Sequence, residues 1–159
     1  MGLVSTTSSS ADRQPDHDAN QARPGIEALS ADLRVLLVRE MLALQSGMQA
    51  IIPAYVSGNW SQIAQIAGKM ENSYILKQSL TDTQKEELHT LLPAAFIQLD
   101  QQFHYLSGML KHVAEKEKTE LVGFYISQLN ESCLGCHRQF ATHRFPAFER
   151  KQQSAHDAD

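Results

Sequence analysis

The sequence predicts an all-α protein: an antiparallel, up-down-up-down four-helix bundle with a short extra helix between helices 2 and 3. Three observations carry that expectation. Apolar residues recur at alternating steps of three and four through four long segments, the spacing of a buried helix face. The connections between those segments are short, so successive helices are expected to run antiparallel. No stretch alternates with the period of two that marks a half-buried strand, and neither a Gly-rich phosphate loop nor an internal repeat occurs.

A chain of 159 residues is enough for one domain with a real core. Hydrophobic residues make up 42% and charged residues 20%, an ordinary globular balance. The net charge of −4 argues against a general basic surface for nucleic acid or acidic lipid. No apolar run approaches the roughly 18 residues of a membrane span. Residues 26–148 are expected to form the helical domain. The Ser-, Asp-, Gln- and Pro-rich start, Met1 to Gly25, reads as a disordered tail without the apolar region of a signal peptide. Residues 149–159 read as a second, flexible tail.

The first helix is expected after Ser30, with Asp32 in its first turn. Its seam reads Leu33, Leu37, Met41, Leu44, Met48, Ile51 and Tyr55. Pro53 is expected to bend or end it, with Ser57-Gly58 closing the segment. Asn59 is placed to cap a second helix carrying Trp60, Ile63, Ala67, Met70 and Tyr74, running to about Gln78. Thr81 and Gln84 form a capping-box pattern for the short extra helix, whose apolar side is Leu88, Leu91 and Leu92. Pro93 fits the first turn of the third long helix, with Phe96, Leu99, Phe103, Leu106, Leu110 and Val113 as its seam. Glu115 to Lys118 reads as a solvated turn. The fourth helix begins near Thr119, carries Val122, Ile126, Leu129, Cys133, Cys136 and Phe140 inward, and is expected to stop at Pro146.

Late in that helix stands Cys133-Leu134-Gly135-Cys136-His137, the C-x-x-C-H pattern of covalent c-type haem attachment. Positions i, i+3 and i+4 share one helix face, so both thiols and the imidazole can meet one flat ligand. Two thioethers would tether haem c, and His137 would bind its iron as proximal ligand. The rival readings are weaker. Structural zinc needs four ligands, and both cysteines of the chain are already used here. A redox C-x-x-C expects a βαβ setting, and a disulfide across this spacing on a helix would be strained.

Four helices with C-x-x-C-H late in the last resemble the cytochrome c′ family and its six-coordinate relatives, over about residues 30 to 145. Phe140 stands three residues after His137, where that family commonly has an aromatic. Ala141 stands where it often has Arg, so Arg138, Arg144 or Arg39 would have to meet the haem propionates. The resemblance puts the distal position on the first helix, where Met41 and Met48 share a face. His137 lies ~10 Å from the end of its helix and Met41 ~15 Å from the start of the first, with Met48 ~10 Å further away. Level therefore favours Met41 as the second axial ligand, with Met70 and His104 at a similar height as alternatives. A seam methionine is otherwise a gap-filling core residue. His17, His89, His112, His143 and His156 read as surface or tail residues.

These readings converge on a periplasmic monohaem c-type cytochrome that carries single electrons between redox partner proteins. Such haems are generally attached, in bacteria, outside the cytoplasmic membrane, so an export signal is expected to have been removed ahead of the tail. The alternative is a five-coordinate, cytochrome c′-like protein that binds NO or CO, in which Met41 only packs. The resemblance implies a homodimer through the first two helices, which Trp60 or Tyr74 would serve. No acid, base or nucleophile constellation stands beyond the iron, so the chain is read as no enzyme.

Overall fold

The computed structural model describes residues 25–73 and 80–148. Met1 to Pro24, Tyr74 to Ser79 and residues 149–159 lie outside the described residues, and with them both expected tails, His17, His156 and Tyr74. Among the described residues the protein is all-helical, with five α-helices and no strand. They are α1 (Ala31–Val56), α2 (Trp60–Glu71), α3 (Asp82–Leu91), α4 (Ala94–Glu115) and α5 (Thr119–Phe140), preceded by a 3-10 turn at Ile26–Ala28.

Local chemistry sets most boundaries. Ser30 precedes α1 as expected, but its side chain caps nothing; its backbone N–H donates instead to the carboxylate of Glu87 on α3. Pro53 does not end α1, because its carbonyl still accepts from the Ser57 N–H and hydroxyl and so carries the helix to Val56. Asn59 caps α2 through a 3.1 Å bond from the Gln62 N–H. Both halves of the Thr81/Gln84 capping box are formed at α3. Glu117, at φ 54, turns the chain from α4 into α5.

Two ends differ from expectation. α2 stops at Glu71, not near Gln78. Asn72 Nδ2 takes the Gly68 carbonyl at 2.7 Å, while Ser73 Oγ and His104 Nδ1 take that of Met70 at 2.9 and 2.7 Å. The Met70 carbonyl, an acceptor a longer helix would use, is thus already taken. α5 stops at Phe140, before Pro146: Ala141, at φ −133, leaves the helical region, and the chain beyond it turns back on itself.

The core forms two clusters. One joins Leu44 and Ile51 of α1, Ile63 and Met70 of α2, Phe103 and Leu110 of α4, and Val122 and Leu129 of α5. The other joins Leu29, Leu33, Leu37, Leu80, Leu88, Leu92 and Phe96. Burying one such aliphatic side chain contributes about 1.5–3 kcal/mol. The close helix pairings are α1 with α2, α2 with α4, and α4 with α5; none of comparable closeness joins α1 to α5. α1 and α2 approach closely at Gly47, where a Cβ would stand 2.8 Å from Met70 Sδ. α1 is long and apolar enough to cross a membrane by length and composition. Its Leu33, Leu37, Leu44 and Ile51, however, are buried in the protein's own core.

The buried stripe of α1 corrects the expected seam. It runs through Leu33, Leu37, Glu40, Leu44, Ile51 and Ala54, while Met41, Met48 and Tyr55 are half-buried on its flank. These three recur every seven residues, so they form one row along α1. Tyr55 identifies where that row points: a Cβ on Gly123 of α5 would lie 2.7 Å from its hydroxyl.

Candidate cofactor-attachment site

Thr119–Phe140 is one unbroken helix, so the C-x-x-C-H residues keep the i, i+3, i+4 relation that the spacing implies. Cys133, Cys136 and His137 are all half-buried. Cys133 packs against the first core cluster, Cys136 and Phe140 against the second, and Met41 of α1 against both. The motif therefore spans the junction of the two clusters, with Met41 at the same junction. Phe140 is fixed there by an edge-on contact with Phe96, ring centroids 5.4 Å apart.

Both cysteines are free. Burial pushes the Cys133 thiol above its ordinary value. The Cys136 thiol is pushed up to about 11, first by burial and then by the negative charges of Asp100 and Cys133. Such thiols stay protonated near neutral pH, whereas a reactive C-x-x-C pair is marked by a lowered pKa. Burial also lowers the pKa of His137, which favours the neutral imidazole that a metal requires. Its ring stacks on that of Phe145, with centroids 4.8 Å apart and planes 18° apart.

A polar group lies beside this junction and was not anticipated. Glu40, Asp100 and His104 are buried in a largely apolar interior. His104 Nδ1–H donates to the Met70 carbonyl at 2.7 Å, which leaves Nε2 facing Glu40 and Asp100 oxygens, each at 3.6 Å. Asp100 is near enough to act on Cys136 through its charge. Two signals were available: Asp100 and His104 are spaced i, i+4 on one helix, and Glu40 is in phase with Leu37 and Leu44.

The residues expected as alternatives to Met41 lie in different surroundings. Met70 is only 2% exposed and turns its sulfur to Gly47. His104 has both ring nitrogens turned to protein acceptors. Met48 packs on the first cluster alone. Among the expected surface histidines, His89, His112 and His143 are exposed. Of the candidate propionate partners, Arg39, Arg138 and Arg144 are exposed, and Arg138 stands 5.8 Å from the Phe148 ring centre.

Among the described residues no group of three or more His, Cys, Asp or Glu side chains is arranged to hold a bare metal ion. Comparison of the chain with protein-family models, with curated proteins and with solved structures finds no match.

Proposed function

We propose that this chain is a monohaem c-type cytochrome, resembling the cytochrome c′ family, that carries single electrons between redox partner proteins in the periplasm. The observation that carries this reading is the pair of free, half-buried thiols on one flank of α5 beside an imidazole kept neutral by burial. The residues fit the group. A porphyrin brings four nitrogen donors of its own, so the protein needs to supply only one or two axial ligands.

Cys133 and Cys136 would form the two thioethers. Each thiol, protonated where it stands, holds both the sulfur and the hydrogen that addition across a vinyl group consumes. His137 would serve as proximal ligand through its unprotonated nitrogen. When bound, the iron supplies the one-electron chemistry, cycling between ferric and ferrous. The buried aliphatic residues of both clusters exclude water from the site and lower its dielectric.

We further propose that α1, α2, α4 and α5 form an antiparallel up-down-up-down bundle, with α3 as the extra helix. The three close pairings and the Tyr55–Gly123 approach support that order. Met41 precedes Tyr55 by fourteen residues, and His137 follows Gly123 by fourteen. At 1.5 Å per residue both steps are ~21 Å, which in an antiparallel pair brings Met41 level with His137. Met48 would be level with Asn130 instead. Met41 would accordingly be the second residue to hold the iron in this reading, and α1 and α5 would wall the site. We assign the chain no enzymatic turnover, and a homodimer through α1 and α2 would register as doubled mass in sedimentation.

The deciding experiment is mass spectrometry of the chain after export alongside a haem-attachment machinery. The expected result is a gain of one haem that is lost when Cys133→Ala and Cys136→Ala are combined. A matured chain with no adduct removes the reading.

A further inference from the structure

The residues after α5 fold back over its last turn. Arg144 and Phe145 donate to the Ala141 carbonyl, each at 3.0 Å, and Phe148 donates to the Phe145 carbonyl at 3.0 Å. Those turns bring the Phe145 ring over His137, 4.8 Å between centroids and 18° between planes. The segment is held at other points as well. His143 Nδ1 lies 3.3 Å from the Glu27 carboxylate in the turn before α1. Glu27 is tied to α1 in turn, since its carbonyl accepts from Arg34 Nη1 at 3.0 Å.

A histidine ring has no sharp intrinsic preference for its second torsion, which is broad for a bond between sp³ and sp² atoms. The helix fixes where His137 begins but not the plane of its ring. Phe145 is 42% exposed, so burying its own surface does not account for its position. A near-parallel ring does account for it, because rings at this separation attract in an offset stack.

We propose that Phe145 is a positioning residue for the proximal ligand: its ring, stacked on His137, fixes the plane of the imidazole and screens one face of it from water. This role rests on His137 being the axial ligand, whereas the stack belongs to the chain with or without haem.

The test uses the full chain, haem-free and matured, carrying Phe145→Ala or Phe145→Tyr, with circular dichroism to verify unchanged helix content. In haem-free protein the carbon-bound ring protons of His137 should resonate upfield, under the Phe145 ring current. That shift should vanish in Phe145→Ala and persist in Phe145→Tyr. In ferric matured protein, the spread of the haem methyl resonances reports the orientation of the axial imidazole. It should change in Phe145→Ala and return in Phe145→Tyr. His137 protons indifferent to Phe145→Ala would mean no stack, and the proposal falls. A stack present without haem, but a methyl pattern unmoved by Phe145→Ala, overturns the positioning role. Wild-type chain that takes up no haem defeats the cytochrome reading and this role with it, while the haem-free spectra still identify which of the two failed.

Discussion

The hydroxyl of Tyr55, in the last turn of α1, stands where a side chain on Gly123 of α5 would have to begin, 2.7 Å from the position of a Cβ there. That approach brings α1 and α5 together at this level. Gly123→Ala gains about 1 kcal/mol of helix propensity but must displace the phenol, at about 1–3 kcal/mol for overpacking. Removing the oxygen by Tyr55→Phe should restore the gain. Urea denaturation of the double-mutant cycle is expected to give a coupling of about 1 kcal/mol. Additive effects would mean that the two residues do not set the register.

The antiparallel register we propose would separate two methionines. In matured protein, ferrous Met41→Ala should bind carbon monoxide readily, while wild type and Met48→Ala keep a closed, low-spin spectrum. Wild type that itself takes up the gas at once would favour the five-coordinate, NO- or CO-binding alternative, with Met41 as packing.

Haem-free protein should lose stability on the alkaline side. Cys136 holds its proton more tightly folded, at about 11, than at its ordinary 9.0. Its contribution is therefore complete below 9.0 and declines as pH rises towards 11. The unfolding midpoint should fall across that window, and less steeply in Cys136→Ala. Alkylation of the folded chain at pH 8 should also be slow compared with the unfolded chain. An equal rate in the two states would contradict the raised thiol.

His104→Ala removes the imidazole that faces Glu40 and Asp100, together with the 2.7 Å bond to the Met70 carbonyl. Emptying a buried site of that size costs about 2–5 kcal/mol. Ser107→Ala, which loses one 3.0 Å bond to the Phe103 carbonyl on the same helix, should cost about 1 kcal/mol. Comparable losses in the two variants would show the buried group to be incidental to stability.

Helix starts were legible because their signals are local. Asn59 reaches Gln62, and Thr81 and Gln84 satisfy each other, all within a single turn. The two helix ends that differed are set by relations of another kind. α2 ends in part because His104, 34 residues further along, takes the Met70 carbonyl. Phe145 reaches His137 only because the chain turns back at Ala141. Glu40 was passed over for Met41 because a charged residue in an apolar stripe looks like a phase error until its partners across the core are known.

By itself the sequence determined the all-helical class, the starts of the helices and the grouping of Cys133, Cys136 and His137 on one face. Each of these follows from contacts within about four residues, which a period of 3.6 makes computable. Only the tertiary structure decided that Met41 sits at the junction both cysteines touch, that Met70 turns to Gly47, and that Glu40, Asp100 and His104 meet in the interior. Those facts depend on how helices lie against one another, and side-chain shape and hydrogen bonding between distant residues settle that, not the pattern along any one helix.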